Sequence, residues 1–222
     1  VDLLNQSPDI CCYGEIFKKN FVELPEQARD KVGYNLDRRN EDPFGYLKCV
    51  FSLHPGQVSG FKIFPGHSKE VFPWCLTTPD IKRIALWRNP VDVYVSLERA
   101  KATGEWINRG GESSKSARPK LTFNPTTFEG ALRHVTNHNQ RLFRLAETKA
   151  DSTLLVSYDD VTNMESVMGI FDFLGVPRPD HLDYRLKRQT VEKYSELYTN
   201  FDEFGTYLAE KHPEIRIDAA KM

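Results

Sequence analysis

Residues Arg83 to Ala100 read RIALWRNPVDVYVSLERA, and the punctuation of that stretch decides how the chain folds. An apolar run, Ile84 to Trp87, stops at Arg88-Asn89-Pro90, and an apolar-periodic segment follows with Ser96 eight residues after the arginine. A short apolar run bounded by a turn signal predicts a buried strand. Pro90 suits the first position of a helix, where its missing N–H would find no partner anyway, and Asn89 is the natural N-cap. A strand feeding a helix across a two-residue turn is the first half of a parallel βαβ unit, whose ligands gather at the carboxyl ends of the strands. Arg88 sits at that end. Its guanidinium can fork onto a phosphate or carboxylate, and Ser96, about two turns into the helix, can add a hydroxyl on the same side. A plainer reading stays open here, in which Arg88 only pairs with a nearby acid such as Asp92.

The chain has 222 residues, enough to bury one sizeable core, so a single domain spanning 1–222 is expected. Its 30 basic and 31 acidic residues leave a formal net charge of −1, which argues against a nucleic-acid partner while allowing a local basic pocket. Four cysteines, Cys11, Cys12, Cys49 and Cys75, show neither CxxC nor Cys/His ligand spacing; buried thiols, no metal and a reducing, cytoplasmic setting are expected. His134 and His138 lie four apart on a predicted helix, but no third ligand accompanies them. No apolar run is long enough to span a bilayer.

Four apolar runs predict strands: Ile10–Tyr13, Gly60–Phe64, Arg83–Trp87 and Thr153–Ser157. Helical periodicity is clearest over Thr127–Thr148, and a further helix over Val161–Leu174 ends at Gly175. Residues Val191 to Ala209 predict two short helices broken near Asn200. Alternating strands and helices imply an α/β fold with a mainly parallel sheet. The Gly-, Ser- and Pro-rich segment Gly104–Thr126 carries Arg109, Lys115, Arg118 and Lys120; it predicts a flexible loop or lid.

With Arg88 and Ser96 placed, RNP followed by the serine resembles the 3′-phosphate-binding motif of sulfotransferases that use 3′-phosphoadenosine 5′-phosphosulfate (PAPS). Other stretches are similar to that family in the same order: LLNQSPDICCYGEIF, RNEDPFGYL, SGFKIFPGH, LLVSYDDV and IFDFLGVP. The bacterial-type and carbohydrate-directed members are the ones resembled. The resemblance implies a P-loop-NTPase-like α/β sheet flanked by helices, PAPS as sulfuryl donor, no metal, and a hydroxyl acceptor on a carbohydrate or small metabolite. It also places the family's first strand and phosphosulfate loop before Val1, so the expectation is that the sequence omits an N-terminal piece. A degenerate nucleotide-binding relative without catalysis is the rival reading. A nucleotide kinase is another, but no GxxxxGK[ST] stretch supports it.

Sulfuryl transfer needs a base for the acceptor hydroxyl and a cation or donor for the leaving oxygen. The resemblance offers Glu15 first and His67 second as that base, the histidine lying five residues after Lys62 where cytosolic members have Lys-Thr-His. Lys62, between Phe61 and Ile63 in a strand expected to be buried on both faces, is costly unless it meets an anion or an acid such as Glu15. The resemblance further implies that Tyr158 approaches the adenine and that Lys187 and Arg188 supply another phosphate contact. Trp74 and Trp87 are expected in the core.

Overall fold

Strand β1, Ile10–Tyr13, pairs in parallel with β2, Val58–Phe61, in a register running from Ile10 opposite Val58 to Tyr13 opposite Phe61. The structure, a computed structural model, describes residues 1–106, 119–183, 193–215, 217 and 221. It divides into two compact units, Val1–Ala85 with Leu145–Asp183 and Leu86–Arg144 with Tyr184–Met222.

Helices of the first unit are α1, Glu26–Val32; α2, Leu36–Glu41; α3, Pro43–Phe51; and α4, Val71–Thr77. Helix α3 starts sharply. Pro43 opens it, and the Asp42 carboxylate accepts from the Gly45 N–H at 2.9 Å and from the Tyr34 hydroxyl at 2.9 Å. A Cβ on Gly45 would stand 1.9 Å from that carboxylate, so any larger residue there would push Asp42 off its capping position. The unit's core joins Tyr13, Ile16, Phe17, Leu24, Tyr46, Leu47, Val50 and Val71. Strand β3, Arg83–Trp87, starts in this unit and pairs with β4, Thr153–Ser157.

The chain is therefore α/β as expected, but two boundaries move. The second strand runs over Val58–Phe61 instead of Gly60–Phe64. Its ladder is exhausted at Lys62, whose N–H reaches the carbonyls of both Tyr13 (3.2 Å) and Gly14 (3.1 Å), and Pro65 follows with no N–H to offer. Lys62 thus stands just beyond the strand with its side chain 48% exposed, which corrects the expectation of a lysine buried on both faces. The helix expected from Val161 is α7, Met164–Leu174, because Asn163 adopts extended backbone and caps it by accepting from the Ser166 N–H at 3.2 Å. Gly175, with φ 76°, closes it.

In the second unit, α5 spans Pro90–Thr103, α6 Pro125–Thr148 (its last turn belonging to the first unit), α8 Tyr194–Leu197 and α9 Phe201–Lys211. Asn89 does cap α5, accepting from the Val91 N–H at 2.9 Å, and Gly104 ends it at φ 74°. Val91, Tyr94, Val95, Phe128, Leu132, Tyr194, Phe204 and Leu208 form this unit's core. The end of the predicted lid belongs to that core: Leu121 and Phe123 are buried, and Leu121 bridges Tyr198 in the manner of a parallel strand. Residues 107–118, with Arg109, Lys115 and Arg118, lie outside the described residues.

Candidate active site

Glu15 leaves β1 after a single glycine. A tight turn follows, in which the Ile16 N–H bonds the Gly14 carbonyl at 3.0 Å and the Lys18 N–H bonds the Glu15 carbonyl at 2.8 Å. The parallel pairing that brings the end of β2 beside the end of β1 also delivers Lys62, whose Nζ lies 2.9 Å from Glu15 Oε1. His67 Nε2 stands 3.7 Å from the other carboxylate oxygen. Burial by itself would raise the Glu15 carboxyl, but the hydrogen bond and charge of Lys62, with Lys18 and His67 adding, hold it below the usual carboxylate range. Burial, with Lys62, Lys18 and Lys19 adding, lowers His67 against the opposing pull of Glu15.

The imidazole is committed on both sides. Its Nδ1 accepts from the Phe64 N–H at 3.4 Å, so the neutral ring carries its proton on Nε2, facing the carboxylate. Lys62 Nζ also lies 4.7 Å over the ring of Phe64. Glu15 from the end of β1, and Lys62 with His67 from the chain that leaves β2, are thus brought together in one unit.

In the second unit, Arg88 follows β3 directly and precedes the Asn89 cap, and Ser96 lies in the second turn of α5; both are half-buried. Asp92 does not stand idle beside them: it accepts from the Tyr194 hydroxyl and from Lys221 Nζ. Tyr158, in the first unit, is half-buried in the turn after β4. Lys187 and Arg188 lie outside the described residues. Trp87 packs edge-on against Phe143, and Trp74 against Phe44.

Two residues unmarked by the sequence reading hold these positions. Asn139, buried on α6, donates to the Arg88 carbonyl at 2.8 Å and so fixes the strand-to-helix corner. Arg39, on α2 and only 1% exposed, directs Nη1 at the carbonyls of Ile16 (3.1 Å), Lys18 (2.9 Å) and Phe21 (3.0 Å) in the loop that follows Glu15. Asn139 carried a readable signal, an amide on the same helical stripe as Phe128 and Leu132; Arg39 carried none beyond its place in RNEDPFGYL. Among the described residues no group of three or more His, Cys, Asp or Glu could hold a metal, and no helix is long and apolar enough to cross a membrane.

In α/β chains ligands gather at the carboxyl ends of the strands, and here Glu15, Lys62 and Arg88 each follow a strand directly or after one residue. The family described as the sulfotransferase domain matches residues 63–216, well over half of the sequence; the chain belongs to that family, and its chemistry is sulfuryl transfer. A crystal structure of a sulfotransferase from Alicyclobacillus acidocaldarius is similar at 16% identity and a TM-score of 0.48, covering 99% of this chain and 90% of that one. No curated protein matches.

Proposed function

We propose that the protein moves the sulfuryl group of PAPS to a hydroxyl of a carbohydrate or small metabolite. The observation that carries this reading is Arg88 at the end of β3, followed by an Asn-capped, Pro-initiated helix that bears Ser96, in a chain of this family. A guanidinium at the entry to a helix and a hydroxyl on its second turn suit a phosphate dianion, so Arg88 and Ser96 hold the 3′-phosphate. Tyr158 faces the adenine, and Lys187 with Arg188 adds a phosphate contact.

Glu15 is the base. It is held ionised, whereas the neutral His67 ring has its lone pair occupied by a backbone N–H and turns a donor toward Glu15. In the transfer, the acceptor oxygen forms a bond to sulfur as the bond from sulfur to the bridging oxygen breaks, and the hydroxyl proton passes to Glu15. The products are a sulfate ester and 3′-phosphoadenosine 5′-phosphate. Lys62 keeps the carboxylate charged and directs its remaining N–H donors to oxygens that gain charge.

Calorimetry tests the donor. Arg88→Ala should weaken 3′-phosphoadenosine 5′-phosphate by about 10- to 100-fold, the worth of a hydrogen bond to a charged group, and leave adenosine 5′-phosphate nearly unchanged. Equal losses for both ligands would overturn the assignment.

A further inference from the structure

From Gly14 to Pro25 the first unit has neither helix nor strand, yet this is the stretch that carries Glu15. Such a segment keeps its shape only if something answers its backbone carbonyls. Arg39 does so for three of them, while its Nε and Nη2 are held by the Asn40 side-chain oxygen at 3.2 and 2.8 Å. Among the described residues the guanidinium meets no carboxylate, and burial draws its pKa below the usual arginine value. A buried charge answered only by neutral groups is an expensive way to fill a core, and an apolar side chain of similar volume would do that more cheaply. What an apolar side chain could not supply is a fixed fork of donors aimed at one loop.

The loop has little slack. Gly14 and Glu15 alone separate the end of β1 at Tyr13 from the first clamped carbonyl at Ile16. Ile16 and Phe17 are buried, and the guanidinium carbon lies 6.0 Å over the Phe17 ring. The Glu15 backbone is thus strung between the β1–β2 ladder, which also delivers Lys62, and the Arg39 clamp.

We infer that Arg39 is the positioning residue of Glu15: by binding the carbonyls of Ile16, Lys18 and Phe21, it sets the turn from which the carboxylate reaches Lys62. The kinetic part of this inference rests on the reading of Glu15 as the base; the geometric part does not. The groups facing the carboxylate are Lys62, His67 and Lys18, and all three depend on the same turn or on the end of β2.

Carbon-detected NMR titration of the Glu15 carboxyl in the full-length protein, assigned by the signal lost in Glu15→Gln, is the test. Arg39→Lys keeps a cation but not the planar fork. In that variant the Glu15 titration should move up toward the ordinary carboxylate value, and kcat should fall about tenfold or more, because a reacting group displaced by an ångström costs up to about a hundredfold. Affinity for 3′-phosphoadenosine 5′-phosphate should stay as it was. Should Arg39→Lys not fold, Asn40→Ala at the exposed neighbour releases the other edge of the guanidinium and should give the same shift, only smaller. A folded variant in which Glu15 titrates as in the parent overturns the inference, since a side chain that merely filled the core would leave that titration in place. A shifted titration with unchanged kcat upholds the positioning and overturns Glu15 as base.

Discussion

Glu15 rides on an irregular loop, whereas Arg88 stands at a corner where β3 passes directly into α5. The loop is held by a buried guanidinium reaching three carbonyls, and the corner by one buried amide from α6, because β3 and the capped helix have already fixed the backbone on either side of it. Regular structure supplies most of the order at the corner, and side chains must supply it in the loop. The difference teaches where each half of the chemistry is vulnerable: the carboxylate through distant side chains, the arginine through its own substitution.

The largest effect that separates the two regions is on turnover. Glu15→Gln should lower kcat by about a hundredfold or more with nucleotide affinity retained, and His67→Ala should cost less. The reverse order, read by steady-state assay and calorimetry together, would make His67 the base.

The pH profile sharpens the same point. As the proposed base, Glu15 must be ionised to act, and its carboxyl is held below the usual carboxylate range, so kcat/KM should hold level as pH falls through the histidine range and drop only in the carboxylate range or below it. The stability that its depressed carboxyl contributes is present above the unfolded value and lost as pH falls through the folded one. A histidine base would instead bring in the acid limb as His67, held below its ordinary value, takes up its proton.

At the corner, Asn139→Ala strips the Arg88 carbonyl of its amide donor and should cost about 1–3 kcal/mol in urea unfolding. Affinity for 3′-phosphoadenosine 5′-phosphate should fall by much less than in Arg88→Ala, since β3 and the Asn89 cap remain. A loss as large as that of Arg88→Ala would mean the corner is no better ordered than the loop. The smallest effect belongs to a cap remote from both: Asn163→Ala should cost about 1 kcal/mol, seen as a small drop in Tm with kcat unchanged.

The contrast also explains what could be read from the sequence. Asn89, Pro90 and Gly175 announce helix ends through the backbone chemistry of single residues, and the structure uses each that way. The strand Ile10–Tyr13 was legible from its apolar run, but Lys62 was placed inside β2 because apolar neighbours do not reveal where a ladder runs out of partners. Arg39 was invisible for a different reason. The carbonyls it binds lie 18 to 23 residues away on a loop with no periodicity, and nothing in the adjoining sequence distinguishes it from Arg38, which is exposed beside it.

Leu121 and Thr199 exchange a final lesson across the second unit. The Leu121 N–H bonds the Leu197 carbonyl at 2.8 Å, the Thr199 N–H bonds the Leu121 carbonyl at 2.9 Å, and the Asn200 side chain takes the Phe123 N–H at 2.7 Å while donating to its carbonyl at 3.1 Å. Upstream, Gly104 closes α5 with its own N–H on the Ala100 carbonyl at 2.9 Å. Each border is fastened by bonds of its own, Lys120 Nζ on the Glu196 carbonyl among them, so the helix end at Gly104 and the strand-like pairing at Leu121 hold their places independently.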